Sequence, residues 1–126
     1  MQKALRLFLI LACCAAAAED GARLSDAEIR AVLENATAVY RDGARQFFAA
    51  GGRTEYLTAK GLPSAGQWNV RGGKYCSVWG AGAPSCYIVT RHGKDNTGGK
   101  NAPVLRWDGE YEAAVYPGNI LRQSEK

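Results

Sequence analysis

The stretch GQWNVRGGKYCSVWGAGAPSCYIV, residues 66–89, decides the fold. The glycine pair at residues 72–73 and the glycine- and proline-rich segment 80–84 interrupt runs that are rich in Trp, Tyr and Val. Such interruptions are typical of β-hairpins. Symmetric pairing around the second turn would place Cys76 opposite Cys86, close enough for a cross-strand disulfide. The stretch therefore predicts two successive hairpins, the second closed by a disulfide.

Two registers are open for the first of these hairpins. With a two-residue turn, the residues that share one face are Trp68, Val70, Tyr75 and Ser77. With a three-residue turn, they are Trp68, Val70, Cys76 and Val78. We favour the three-residue turn because it buries more apolar surface, and a slip of one residue exchanges the two faces of a strand.

The rest of the chain repeats this pattern of short runs and turns. Turn signals recur about every ten residues, which is typical of an antiparallel meander. The eight predicted strands are residues 36–40, 45–49, 53–59, 67–71, 74–79, 85–91, 103–107 and 111–116. Short strands in this number close into a small barrel or a curled sheet, since closure removes exposed edges. The predicted fold class is mainly β, with one N-terminal amphipathic helix before the strands.

That helix is predicted over residues 25–35. Ser25 has the side chain of an N-cap, and Glu28 completes a capping box three residues later. Leu24 and Ile29 can form a hydrophobic staple across the same helix start. One face of the helix is apolar, so we expect it to pack on the sheet.

Residues 1–18 have the layout of a secretory signal. Lys3 and Arg6 precede a short apolar run, and three alanines end the segment before a predicted cleavage after Ala18. Cleavage would leave residues 19–126 as a single β-rich domain. An alternative is a lipid anchor at Cys13, because residues 10–13 resemble a bacterial lipoprotein box.

Charge and length exclude several classes of protein. The 126 residues carry a net charge of +4, which falls to +2 without Lys3 and Arg6. This small excess is no nucleic-acid footprint, which requires a dense basic face. The apolar part of the leader is too short to span a bilayer, which needs roughly 20 residues, so we expect no transmembrane segment.

An exported protein meets oxidants, so we expect Cys76 and Cys86 to form a disulfide in the periplasm or outside the cell. The chain has a single histidine, His92, and no C-x-x-C motif. Two cysteines and one histidine fall short of a zinc site, so we expect no metal and no cofactor. No G-x-S-x-G motif is present, and we expect no catalytic residues.

The polar, glycine-rich segment 92–102 is predicted to be a mobile loop between two strands. Loops of this length often carry function. The candidate binding residues of this loop are His92, Lys94, Asp95, Asn96, Lys100 and Asn101. The Trp and Tyr side chains lie mostly in predicted strands, and we expect them to fill the barrel rather than line a cavity.

A resemblance extends over about residues 24–91. The elements that carry it are Gly66-Gln67-Trp68-Asn69-Val70, the glycine turn with Lys74-Tyr75-Cys76, Trp79, and Cys86-Tyr87-Ile88-Val89, together with the upstream helix. This combination resembles small exported proteins of proteobacteria, in families of unknown function. The resemblance implies a periplasmic or secreted β-domain with one disulfide, and it supplies no catalytic residues.

These observations favour a non-enzymatic exported module whose partner is a protein or an envelope component. A lipocalin-like carrier of a small apolar ligand is a second hypothesis, and it requires a hollow interior. An inhibitor of a secreted hydrolase is a third, and it requires a protruding rigid loop or arm.

Overall fold

The computed structural model describes residues 21–123, so the predicted signal and Cys13 lie outside the described part of the chain. Helix α1 (Asp26–Leu33) comes before the strands. The nine strands are β1 (Ala36–Tyr40), β2 (Arg45–Phe48), β3 (Arg53–Leu57), β4 (Pro63–Arg71), β5 (Lys74–Trp79), β6 (Ser85–Tyr87), β7 (Val89–Asp95), β8 (Ala102–Trp107) and β9 (Tyr111–Pro117). A short 3₁₀ turn (Thr97–Gly99) lies between β7 and β8.

The strands form one antiparallel sheet in the order β6-β5-β4-β3-β2-β1-β9-β8-β7. The mainly β, curled-sheet prediction is confirmed, but the strands number nine rather than eight. The predicted strand 85–91 is divided at Ile88, whose amide donates to Asp108 Oδ1 at 3.0 Å. The Ile88 carbonyl accepts from the Asp108 amide at 2.8 Å. Because Asp108 binds both backbone groups of Ile88, this residue belongs to neither ladder. Strand β6 pairs with β5, and β7 pairs with β8.

The sheet is curled into a half-barrel whose two edge strands follow one another along the chain. Strands β6 and β7 are the edges of the sheet, and only Ile88 separates them along the chain. Residues 21–24 cover the remaining edge of β7, through bonds from Gly21 N to Arg91 O (2.6 Å) and from Leu24 N to Val89 O (2.9 Å). This contact satisfies backbone groups that an exposed edge strand would offer to other chains.

Helix α1 begins after its predicted N-cap, Ser25, and ends at Leu33, two residues before the predicted end at Asn35. The Ser25 hydroxyl accepts from the Glu28 amide at 3.2 Å, and the Glu28 carboxylate accepts from the Ser25 amide at 3.1 Å, which completes the capping box. Asn35, just after the helix, has a positive φ of 55°. Ile29 and Leu33 are fully buried against the sheet, so the helix covers one end of the half-barrel.

The first hairpin has a two-residue turn, so the favoured three-residue register is wrong. Val70 pairs with Tyr75, and the turn glycines Gly72 and Gly73 have φ values of 59° and 76°. Positive φ values at both central residues are characteristic of a type I′ turn, whose twist matches that of the flanking strands. Glycine adopts these φ values without steric cost. This backbone preference of the two glycines outweighs the larger apolar area that the three-residue register would have buried. The residues buried together are Trp68, Val70, Tyr75 and Ser77.

The second hairpin contains the predicted disulfide. Cys76 and Cys86 are directly opposed in the β5–β6 ladder, with their Cα atoms 4.0 Å apart, and their sulfurs are bonded. A disulfide that closes a loop of this size contributes on the order of 2–3 kcal/mol. Such a bond marks a protein of an oxidising, exported compartment. No helix within residues 21–123 is long and apolar enough to cross a membrane.

Candidate functional site

The half-barrel is hollow at the end away from α1. A cavity of about 690 Å³ opens there, and we call it the cup. The expectation that aromatic side chains fill the interior is therefore correct only at the helix end. The aromatic residues that line the cup are Tyr40, Tyr56, Tyr75, Trp79, Tyr87, Trp107 and Tyr111.

These aromatic rings support one another around the wall of the cup. Tyr40 lies 5.8 Å from Trp107 and 5.9 Å from Tyr56, measured between ring centroids. Tyr56 is 6.2 Å from Trp79 in an edge-on contact. Tyr87 continues the wall to Tyr111 at 6.0 Å. Edge-on and tilted contacts are favourable ring geometries, so contacts between its own members stabilise the wall.

The floor of the cup is a closed hydrogen-bond network around Gln46, which is only 4% exposed. The Tyr40 hydroxyl donates to Gln46 Oε1 at 2.6 Å. Gln46 Nε2 donates to the Tyr75 hydroxyl and to Thr54 Oγ1, both at 2.9 Å. The network uses both ends of the amide, so it fixes the orientation of Gln46 and of both phenols.

Burial raises the pKa of both floor phenols above the ordinary tyrosine value. Desolvation raises the pKa of Tyr75 to about 12, against the opposing effect of hydrogen bonds from Ser77 and Gln46. Burial also raises the pKa of Tyr40 well above its ordinary value. The floor of the cup is therefore polar but neutral over the physiological pH range.

The rim of the cup carries charge. Glu112 accepts from Arg106 Nε at 2.8 Å and also pairs with the Arg41 guanidinium. The hydrogen bond from Arg106, with smaller help from Arg41, lowers the pKa of Glu112. Asp42 also lines the cup, and its Oδ1 accepts from the Ala44 amide at 2.9 Å in the turn that follows β1.

One donor in the wall has no partner. Trp107 is 2% exposed, and its indole Nε1 makes no hydrogen bond to any residue of the described chain. Buried polar groups are nearly always paired in folded proteins, so an orphaned one requires an explanation. The Nε1 atom is itself buried, and the rings of Tyr40 and Tyr75 lie 5.8 and 6.2 Å from the Trp107 ring, so its immediate surroundings are aromatic.

The glycine of the G-x-W-x-V motif has a structural role at the cup. Gly66 lies directly opposite Trp79 in the β4–β5 ladder. A Cβ atom at this position would meet the Val78 carbonyl oxygen and would lie 2.8 Å from the Trp79 ring. Only glycine lets the indole lie across the neighbouring strand, an arrangement by which an aromatic side chain covers a glycine in a sheet.

The predicted binding loop is in part a strand. His92, Lys94 and Asp95 belong to β7, and the connection to β8 is limited to residues 96–101. The polar, glycine-rich composition suggested a loop, but Gly93 has a φ of 73° at a register shift between Arg91 and Lys94, and beyond it the strand pairs again with β8.

The predicted binding residues lie away from the cup. Strand β7 begins at Val89, which pairs with Trp107 near the cup, and runs toward the helix end of the half-barrel. Its connection to β8 therefore lies at the end opposite to the opening of the cup. There, Asp95 accepts from the Tyr116 hydroxyl at 3.3 Å and Lys100 lies over the Tyr116 ring. His92 Nε2 is 2.8 Å from Thr90 Oγ1. The structure thus places His92, Lys94, Asp95, Asn96, Lys100 and Asn101 on β7 and in its connection to β8, and none of them lines the cup.

Sequence reasoning missed the cup although its residues were all visible. Residues that line the cup recur at every second position of the predicted strands, as Tyr75, Ser77 and Trp79 do, which indicates that they face the same way. Alternation shows that side chains face inward, but it does not distinguish a filled core from the wall of a cavity. No cluster of three or more His, Cys, Asp or Glu side chains that could hold a metal occurs within residues 21–123.

Comparison with known proteins leaves the geometry as the only guide to function. No protein-family model, no curated protein and no solved structure matches this chain.

Proposed function

We propose that this protein is a non-enzymatic binding protein that holds a small organic ligand with an apolar body in the aromatic cup. The observation that carries the proposal is the open cavity of about 690 Å³ walled by seven aromatic side chains. Ligand pockets have volumes of ≈ 300–1,000 Å³, with mostly apolar walls and a few fixed polar groups. The hydrogen-bonded network of Tyr40, Gln46 and Tyr75 supplies such fixed polar groups.

Binding is favoured over catalysis by the state of the polar groups. Glu112 is held by two arginines and its pKa is lowered, which makes it a poor general acid. The floor phenols have raised pKa values, so they stay protonated near neutral pH and neither release a proton readily nor accept one. These groups can orient a ligand, but none has the proton affinity that acid–base catalysis near neutral pH requires.

The cellular compartment follows from two features of the chain. The disulfide favours an oxidising compartment, and residues 1–18 read as a secretory signal. We therefore propose a carrier or receptor in the periplasm or outside the cell. Contact with a protein or an envelope component through residues 92–101 has less support, because Asp95 and Lys100 are engaged with Tyr116.

The test is dye binding to the mature, oxidised chain with one blocked variant. N-Phenyl-1-naphthylamine is a neutral dye that fluoresces in apolar sites, and we expect it to bind with one site per chain. Ser64 is exposed and lines the cup, so Ser64→Trp should place a large ring in the opening and weaken binding about tenfold or more.

Gln67→Trp is the matched control. Gln67 is exposed on the same strand but on the outer face, next to the inward-facing Trp68. We expect this variant to bind the dye like the wild type. Absence of dye binding by the wild type, or equal loss in both variants, would contradict the proposal.

A further inference from the structure

We infer that the cup selects an organic cation of the quaternary ammonium class over neutral and anionic molecules of the same shape. This goes one step further than the proposed function and rests on it. Two independent features of the cup support the cation: the faces of its aromatic rings and the balance of charge at its rim.

The first feature is the orientation of the rings near the opening. Tyr40 and Tyr56 are inclined at 47°, and Tyr56 and Trp79 at 78°, so neither pair is stacked face to face and an edge-on neighbour occupies only one face of a ring. The face of an aromatic ring is the negative end of its quadrupole, and it attracts a cation within about 6 Å of the ring centroid. Seven aromatic side chains around one space, with the rings near the opening unstacked, therefore resemble the aromatic cages that take a quaternary ammonium group.

The second feature is the charge at the rim. The charged residues that line the cup are Arg41, Asp42, Arg106, Glu110 and Glu112, which sum to a net charge of −1. Both arginines are paired with the same carboxylate, Glu112, and this pairing offsets part of their field. Asp42 acts on the cup itself, since its charge adds to burial in raising the pKa of Tyr40 and of Tyr56.

The two features point to the same ligand charge. A neutral molecule would gain from the apolar wall alone, whereas a cation would gain from the ring faces and from Asp42 as well. An anion would meet the ring faces and an entrance whose charged residues sum to −1. A quaternary ammonium group is also bulky and weakly hydrated, so its transfer into the cup costs less than that of a compact ammonium.

Three phenols with a tetrahedral substituent in the para position separate charge from shape. They are 4-hydroxyphenyltrimethylammonium, 4-tert-butylphenol and 4-hydroxybenzenesulfonate, and their affinities for the full mature chain can be measured by calorimetry. We expect the cation to bind about 3- to 30-fold more tightly than the neutral compound, and the sulfonate to bind weakest. A comparison within one protein does not depend on any variant folding.

Two substitutions locate the origin of the preference. Asp42→Asn keeps an oxygen that can accept from the Ala44 amide, and it should weaken cation binding about 2- to 5-fold while leaving the neutral compound unchanged. Tyr56→Leu keeps an apolar wall without a ring face, and it should reduce the ratio of cation to neutral affinity toward one. Glu34→Gln is the control, because it removes one negative charge at the exposed end of α1.

The outcomes distinguish the inference from the proposed function. If 4-tert-butylphenol or the sulfonate binds as tightly as the cation, the charge preference is wrong and the cup remains a site for a ligand of another class. If none of the three binds but the neutral dye does, the inference is again wrong and the proposed function stands. If the dye also fails to bind, the proposed function itself is wrong.

Discussion

The two ends of the half-barrel are built from inward-facing positions of the same strands, yet one is filled and the other is open. At the helix end, Phe48 and Leu105 pack with Ile29 and Leu33 into a closed apolar core. At the other end, inward-facing rings such as Tyr40 and Tyr56 surround an empty space. Strand alternation decides which side chains point inward, but the helix decides where the interior is sealed. The predictions that follow test this difference between the two ends.

The largest expected effect is at the filled end. Phe48→Ala removes a ring that is 0% exposed and contacts the rings of Trp68 and Tyr75, so we expect a loss of about 3–5 kcal/mol in the free energy of unfolding. Urea denaturation measures it. Tyr111→Ala at the rim, where the ring is 50% exposed, should cost less than about 1 kcal/mol. Similar costs at both sites would mean that the two ends do not differ.

The disulfide is expected to contribute to stability without shaping the cup. Cys76 and Cys86 are opposed on the face of β5 and β6 that points away from the cup-lining residues Tyr75 and Tyr87. Replacing both cysteines with alanine should lower the free energy of unfolding by about 2–3 kcal/mol. Dye affinity, measured well below the unfolding transition, should stay the same. A large change in affinity would show that the hairpin geometry at the cup depends on the bond.

Gly66→Ala should affect binding more than its size suggests. The added methyl group would meet the Val78 carbonyl and the Trp79 ring, and we expect a loss of about 1–3 kcal/mol in stability. Displacement of Trp79 should also change the shape of the opening, which dye titration would detect. Gly82 is a suitable comparison, because a Cβ there lies 3.5 Å from its nearest neighbour. Gly82→Ala should leave both quantities unchanged, and an equal effect of the two substitutions would contradict the role assigned to Gly66.

The smallest effect concerns the pH dependence of stability at the rim. The pKa of Glu112 is lowered by Arg106 from its ordinary value of 4.5. A carboxyl group of this kind contributes stability above its pKa in the unfolded chain, and the contribution is lost as the pH falls through its lowered pKa in the folded chain. We expect less than about 1 kcal/mol, because both arginines are exposed to water. Unfolding measured over a pH series below 4.5 should show a shallower decline for Glu112→Gln than for Glu34→Gln.

Local signals explain why much of the fold could be predicted. The capping box of Ser25 and Glu28, the glycines of the turns and the symmetry of Cys76 and Cys86 each act within about ten residues. Structure of this range is specified by the residues themselves. The same local chemistry also corrects the expected register, since two glycines with positive φ select a two-residue turn.

The sequence by itself determined the elements of this protein: a capped helix, short antiparallel strands, tight glycine turns and one disulfide. Only the tertiary structure decided that Asp108 divides the predicted strand at Ile88, that β7 continues through His92 to Asp95, and that the interior is open at one end. The physical reason is distance along the chain. These features depend on contacts between remote segments, such as α1 on the sheet, and on how much of the enclosed space side chains occupy. An alternating pattern of aromatic residues describes a wall and a core equally well.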